Sequence, residues 1–187
     1  MVAPLVGIFV GGRGRRMGGR DKSQLPAPGG GRTLLERWIE VLAAAGLHDV
    51  VLVGGQGDGV RERLQDAPSG IGPLGGLAAL LARAGEQPVI TVACDMPYVE
   101  AALLSRLASE HPGAAALAPR DAESGKWEAM FARYDAAHAR PVVGEVIASG
   151  RRSLQAALDG VGAAELALDG AEREQLRDWD VPEDVEG

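Results

Sequence analysis

An apolar run over residues 5–10 breaks into Gly11-Gly12-Arg13-Gly14-Arg15-Arg16-Met17-Gly18-Gly19-Arg20-Asp21-Lys22. The run is short and apolar on both faces, the pattern of a fully buried strand. Counted from Val10, the thirteen residues that follow Phe9 hold five glycines and four arginines and close on a lysine. Glycine lets backbone N–H groups approach a ligand closely and adopt positive φ. Successive N–H groups in such a loop form a concavity for anions, and arginine and lysine add charge to it. A strand feeding this loop restricts the chain to folds that present strand-end loops to a ligand, and the loop suits a triphosphate.

Its spacing sets it apart from two better-known phosphate loops. A P-loop places lysine directly after its second glycine, whereas Lys22 lies three residues beyond Gly19. Ser23 does follow Lys22, so a degenerate P-loop stays open as an alternative, as does a plain arginine-rich surface loop. A dinucleotide fingerprint opens a helix at once, and here no helical pattern begins before Thr33.

Strand and helix patterns alternate after the loop. A helix is expected over 33–45, with Thr33 as N-cap, Glu36 completing a capping box and Gly46 as the stop. Strands follow over 49–53 and 88–93, with a short helix over 59–65 and longer ones over 73–84 and 99–110. Later strands are expected over 114–118 and 128–134, then a helix over 136–149 broken near Pro141 and a short helix over 153–158. The remaining expectations are a strand over 164–168 and a final short strand over 179–181. This alternation implies a mostly parallel sheet with right-handed crossovers, helices on both faces and one domain spanning residues 1–187. Ligands of such sheets sit beyond the carboxyl ends of the strands.

Composition narrows the partners. Net charge is −7 and aromatic residues make up 4% of the chain, which argues against a nucleic-acid binder. The positive charge is local, at Arg13, Arg15, Arg16, Arg20 and Lys22. Cys94 is the only cysteine, so no internal disulfide can form, and a reducing cytoplasmic setting is expected. No apolar stretch approaches the ~18 residues of a membrane span, and the N-terminus lacks the charged segment of a secretory signal.

Three further segments carry candidate chemistry. Cys94-Asp95-Met96-Pro97 ends an apolar strand. A carboxylate there can hold a magnesium ion, which takes oxygen ligands from one or two carboxylates plus substrate phosphates; the alternative is a cap for the next helix. Gly70-Ile71-Gly72-Pro73-Leu74-Gly75-Gly76 opens a helix whose N–H groups face the same crevice, with Asp66 just upstream. Asp66 suits a ribose or base contact, or is a solvated loop carboxylate. Asp178-Trp179-Asp180 adds late carboxylates, with Asp180 a second candidate metal ligand or part of an acidic tail. His48, His111 and His138 are isolated, and Ser69, Ser124 and Ser149 lack the setting of a nucleophile. Cys94, with no histidine partner in its pattern, reads as a buried thiol.

Taken in order, the loop from Gly11-Gly12 to Asp21-Lys22, Asp66 with Gly70-x-Gly72-Pro73-Leu74-x-Gly76, Cys94-Asp95-Met96-Pro97-Tyr98 and Asp178-x-Asp180-x-Pro182-Glu183-Asp184 resemble the molybdenum cofactor guanylyltransferases, a family of nucleotidyltransferases. The resemblance implies a three-layer α/β/α Rossmann-like fold and transfer of GMP from GTP to molybdopterin with release of pyrophosphate. It implies that Gly11, Gly12, Arg13, Arg16 and Lys22 hold the triphosphate. Asp66, Gly72, Pro73 and Leu74 would contact the nucleoside, and Asp95 would bind both nucleotide and metal. Lys22, Arg16 and Asp95 would be the catalytic groups, with Mg²⁺ held by Asp95 and Asp180, or Mn²⁺ in its place. Molybdenum cofactor insertion proteins are implied partners; nucleic acid and membrane are not.

The chain departs from the family pattern in three places: Phe9-Val10 before the first glycines, Asp180-Val181-Pro182 in place of Asn-Thr-Pro, and Lys126-Trp127-Glu128-Ala129 in place of a proline-containing segment. The last two bear on the acceptor. Rival readings are a cytidylyltransferase for the same cofactor, a nucleotidyltransferase with another phosphorylated acceptor, and a GTP-binding accessory protein without turnover.

Overall fold

The computed structural model of the protein describes residues 2–10, 22–55 and 61–179. Strand β1 (Leu5–Phe9) is buried along its whole length. After a single 3-10 turn at Lys22–Gln24 comes α1 (Leu34–Ala44), opened by the expected capping box between Thr33 and Glu36. The chain continues through β2 (Val50–Val53), β3 (Arg63–Leu64), α2 (Pro73–Ala84), β4 (Val89–Ala93) and α3 (Ala101–Ser109). It then forms β5 (Ala116–Ala118), β6 (Phe131–Tyr134), α4 (Ala136–Ala148), α5 (Leu154–Val161), β7 (Ala164–Glu165) and α6 (Gly170–Gln175).

The seven strands lie in one sheet in the order β3-β2-β1-β4-β6-β5-β7. Strand β6 runs antiparallel to both neighbours, and every other pairing is parallel. Alternate residues along β1 serve opposite faces. Val6 and Ile8 pack with α1 and α3 residues such as Leu34, Trp38 and Leu104. Leu5 and Phe9 pack with α2, α4 and α5 through Leu77, Leu80, Val143 and Leu158. The result is the expected three-layer α/β/α arrangement with a mostly parallel mixed sheet.

Helix α2 sits unusually close to the sheet. A Cβ on Gly76 would come 2.6 Å from Val53 Cγ1 and 2.7 Å from Phe9 Cε1. A Cβ on Gly7 would come 2.6 Å from Leu80 Cδ2. The first turn of α2 therefore rests on the last residues of β1 and β2, which real side chains at these glycines would prevent.

Several expectations are corrected. Within 59–65, residues 63 and 64 are strand β3 rather than helix, because the open edge of β2 takes a partner: Leu52 N–H bonds Glu62 O and Gly54 N–H bonds Leu64 O. Helix α4 runs unbroken through Pro141. Proline removes one helical bond, yet Ala136, Ala139, Val143 and Val146 on the opposite side are buried and hold the helix against the sheet. The strand expected over 164–168 is only two residues long, and α6 follows it with its own capping box between Asp169 and Glu172. Trp179 is not in a strand; its backbone instead bonds Asp95. Among the described residues no helix is long and apolar enough to cross a membrane.

Candidate functional site

The sheet order reverses between β1 and β4. From β1 the chain steps outward to β2 and β3, then returns to place β4 on the other side of β1. Crevices open at the carboxyl ends of strands at such a reversal. Phe9 and Ala93, the last residues of β1 and β4, are partners in register, and Cys94 N–H bonds Phe9 O at 3.1 Å. The turn after β4 thus begins beside the point where the glycine-arginine loop leaves β1.

That turn is fixed from three sides. The Trp38 indole N–H, from α1, donates to Cys94 O at 3.0 Å. Trp179 N–H donates to Asp95 O at 2.9 Å. Met96 N–H reaches back to Ala93 O at 3.4 Å. Trp179 also donates its indole N–H to Tyr98 Oη at 3.3 Å, and the two rings meet edge to face with centroids 6.3 Å apart. With both carbonyls of the Cys94-Asp95 pair engaged, the half-buried Asp95 side chain stands on a defined backbone at the mouth of the crevice. A hard cation suits such a carboxylate. The Cys94 thiol is buried, in keeping with the inert role expected of it.

The second glycine segment reaches the same edge of the sheet. Asp66 lies two residues beyond the end of β3 and against the start of α2: its Cβ is 3.2 Å from where a Gly75 Cβ would stand. Gly72, with φ +70°, caps α2 and offers no side-chain bond to the first turn. The helix N-terminus consequently keeps N–H groups for an anion or a polar ligand edge. Gly72 and Pro73 are exposed, whereas Leu74, the residue after them, is fully buried. Asp66, Gly72, Pro73 and Asp95 are therefore gathered at one end of the sheet. Gly11, Gly12, Arg13, Arg16 and Asp180 lie outside the described residues, as does the side chain of Lys22. Among the described residues no cluster of three or more His, Cys, Asp and Glu is placed to hold a metal ion.

Beside Asp95 lies a cavity of about 580 Å³ that residue patterns did not reveal. Met96, Arg120, Asp121, Glu128, Arg173 and Asp178 contribute to its walls. A tight loop over 120–127 forms one side: Asp121 Oδ1 accepts from Ser124 N–H at 2.7 Å and Ser124 Oγ–H at 2.6 Å. Those bonds hold the Asp121 carboxyl below its usual range. The Arg120 guanidinium lies 3.5 Å over the Trp127 ring, whose indole N–H donates to Asp159 Oδ1 on α5 at 2.8 Å. Arg173 on α6 donates to Arg120 O at 2.9 Å and ties the late segment to this loop. Glu128 is half-buried, and burial, with Asp121 and Asp178 nearby, raises its pKa above the usual carboxylate range. The sequence signals for this region are scattered: Met96 in the strand-end motif, Asp178 among the late carboxylates, and Lys126-Trp127-Glu128-Ala129, one of the departures noted above.

A three-layer α/β sheet that collects a glycine-rich helix start, a strand-end carboxylate and a charged cavity at one switch point is built as a nucleotidyltransferase. Residues 6–165 match the profile of the MobA-like NTP transferase domain, and the chain belongs to that family. A Pseudomonas entomophila (strain L48) protein named molybdenum cofactor guanylyltransferase is 33% identical over 189 residues, covering 94% of this chain and 93% of that one. The structure of molybdopterin-guanine dinucleotide biosynthesis protein A from Archaeoglobus fulgidus superposes with a TM-score of 0.77 at 23% identity, over 97% of this chain and 94% of that one. A Mycobacterium tuberculosis H37Rv protein solved in complex with manganese superposes with a TM-score of 0.54 at 21% identity, over 91% and 90% of the two chains. The two structural likenesses are likenesses of fold.

Proposed function

We propose that this chain is a molybdenum cofactor guanylyltransferase, moving GMP from GTP to the terminal phosphate of molybdopterin and releasing pyrophosphate. The observation that carries the reading is the Asp95 turn, fixed at the switch point by Trp38 and Trp179. The near full-length relative from Pseudomonas entomophila supports the choice of nucleotide and acceptor.

Each candidate residue has a role in this reading. Gly11, Gly12, Arg13, Arg16 and Lys22 cradle the triphosphate, with Lys22 and Arg16 neutralising charge on the leaving pyrophosphate. Asp66 and the exposed Gly72-Pro73 turn leading into Leu74 orient the nucleoside. Asp95 and Asp180 supply hard oxygen ligands for Mg²⁺, with Mn²⁺ as a substitute. Such an ion, when bound, contributes charge neutralisation at the phosphates. The acceptor phosphate attacks the α-phosphorus in line, and the P–O bond to pyrophosphate breaks. Positioning and electrostatics carry such a transfer, so no protein nucleophile is needed, and the buried Cys94 is not one. We place the reaction in the cytoplasm, on one domain spanning residues 1–187, with cofactor insertion proteins receiving the product.

The test is pyrophosphate release with Mg²⁺ and molybdopterin, offering GTP, CTP, ATP and UTP separately. Release with GTP alone is expected. Release mainly with CTP would assign a cytidylyltransferase. GTP binding without release would leave another acceptor or a binding-only protein.

A further inference from the structure

We propose that the cavity beside Asp95 receives the pterin ring of the acceptor and that Glu128 is its specificity-determining residue, accepting hydrogen bonds from the ring's N3–H and 2-amino group. The inference rests on the reading of molybdopterin as acceptor and adds to it a named recognition group.

Position is the first argument. Strand β6 is antiparallel to β4, with Phe131 opposite Val92, and Ala93 N–H bonds Met130 O at 3.1 Å. The residues just before β6 therefore run alongside the turn after β4. Glu128 is held there by its backbone, with its N–H on Pro119 O and its carbonyl accepting from Phe131 N–H, each at 2.9 Å. The acceptor must reach the same turn, because its phosphate reacts at the nucleotide held there.

The state of the Glu128 side chain is the second. Asp121, in the same wall, is committed to Ser124. Arg120 is committed to the Trp127 ring and to Gly125 O, and Arg173 to Arg120 O. The Glu128 carboxylate accepts no hydrogen bond from any described residue, although the residue is half-buried. A partly desolvated carboxylate with two like charges for neighbours is unfavourable for folding and is the kind of group that function retains. A ligand that brings two adjacent N–H donors relieves it.

Shape and chemistry are the third. About 580 Å³ lies within the range of small-molecule sites. Met96, Leu168 and Leu176 give it apolar walls for a flat ring. The 2-amino-4-oxo pyrimidine edge of a pterin presents N3–H and NH₂ side by side, spaced for the two oxygens of one carboxylate. Five carboxylates (Asp121, Glu123, Glu128, Glu174 and Asp178) outnumber three arginines (Arg120, Arg173 and Arg177) in this wall, which favours entry with the anionic end of the acceptor outside it, toward the Asp95 turn.

The experiment compares wild type, Glu128→Gln and Glu128→Asp in pyrophosphate release with GTP, Mg²⁺ and molybdopterin. In parallel, 6-hydroxymethylpterin and 6-hydroxymethyllumazine, which carries oxygen in place of the 2-amino group, are titrated by ligand fluorescence. Glu128→Gln should raise the KM for molybdopterin about tenfold or more, the scale of one lost charged hydrogen-bond pair, with the KM for GTP unchanged. Glu128→Asp should recover part of the loss. Wild type should prefer pterin over lumazine by about tenfold or more, and Glu128→Gln should erase the preference. Unchanged acceptor KM in a folded Glu128→Gln protein would overturn the inference while leaving the guanylyltransferase reading intact. Should wild type release no pyrophosphate with molybdopterin, that reading fails by itself. Glu128-dependent pterin binding would then still uphold the inference, and its absence would end both.

Discussion

The two walls of the crevice are made of different material. The wall formed by β1, β2 and the start of α2 is backbone: Gly76 is pressed on Phe9 and Val53, and Gly75 on the carbonyl of Pro68, where a Cβ would be only 2.5 Å away. The opposite wall, formed by the 120–128 loop and residues 166–179, is side chain: a stacked arginine, a buried tryptophan, and carboxylates in unlike environments. Backbone N–H groups at a helix start suit a phosphate or a ribose edge whatever the sequence around them. Side chains suit discrimination, since each can be exchanged alone. In the proposed reaction the first wall holds the part common to nucleotide substrates and the second reads the acceptor.

The largest break in this comparison lies between the walls, at Asp95. Asp95→Asn keeps the shape of the turn and removes the charge. Turnover should fall about 10²-fold or more, the scale of losing one preorganised electrostatic group. Lys22→Ala should do the same from the other end of the phosphates. Pyrophosphate release at saturating GTP measures both. Near-normal turnover in either folded variant would strike that residue from the catalytic set.

Next comes the backbone wall. Gly76→Ala introduces a methyl group against Val53 and Phe9. Overpacking of that kind costs about 1–3 kcal/mol. A Gly72→Ala protein has open space around the new methyl group but a positive φ at the helix cap. Both should lower the melting temperature for different reasons: the first by crowding, the second by backbone strain, because φ 70° with ψ −152° is a conformation that essentially only glycine adopts. Equal melting temperatures for wild type and Gly76→Ala would mean that α2 can shift off the sheet without penalty.

These glycines also explain how much of the molecule could be read from its sequence. The sheet class, the α1 capping box and the gathering of Asp66, Gly72 and Asp95 at one end followed from local patterns: apolar runs, a Thr-x-x-Glu start, glycines beside strand ends. The two-residue strand β3 did not, because its reason is the unpaired edge of β2 rather than anything in its own residues. Pro141 misled because tertiary burial of α4 outweighs one missing bond. The second wall was invisible because its parts lie far apart in the chain: Met96, Glu128 and Arg173 meet only once β6 has paired with β4 and α6 has docked on the 120–127 loop. Lys126-Trp127-Glu128 announced an unusual segment but nothing about its neighbours.

A smaller effect is expected where α1 is tied to the turn that carries Asp95, between the two walls. Trp38→Phe keeps an aromatic ring in the core and removes the donor to Cys94 O. One buried hydrogen bond is worth about 1 kcal/mol net, so kcat should drop several-fold with the KM for GTP little changed. A loss confined to stability, with kcat untouched, would show that Trp38 packs the core without positioning Asp95.

The smallest expected effect is a pH dependence of stability on the side-chain wall. Burial first, and then Asp121 and Asp178, raise the pKa of Glu128 in the folded protein above its value in the unfolded chain. Between those two values the folded state binds more protons than the unfolded state. Stability therefore falls as pH rises through that window, and above it the full penalty persists. Glu128→Gln carries no such charge. Its melting temperature should exceed that of wild type at pH 7 and above, and the difference should shrink toward zero as pH falls to the ordinary glutamate range. Asp121 works in the opposite sense: its Ser124 bonds favour the carboxylate, so stability from that loop is lost only as pH drops through its depressed pKa. Parallel melting curves for wild type and Glu128→Gln across the range would show that Glu128 is not strained in the free protein. A stabilised Glu128→Gln protein with a raised acceptor KM would instead tie the two properties to one carboxylate, unfavourable in the empty cavity and relieved by two N–H donors from the ring that enters it.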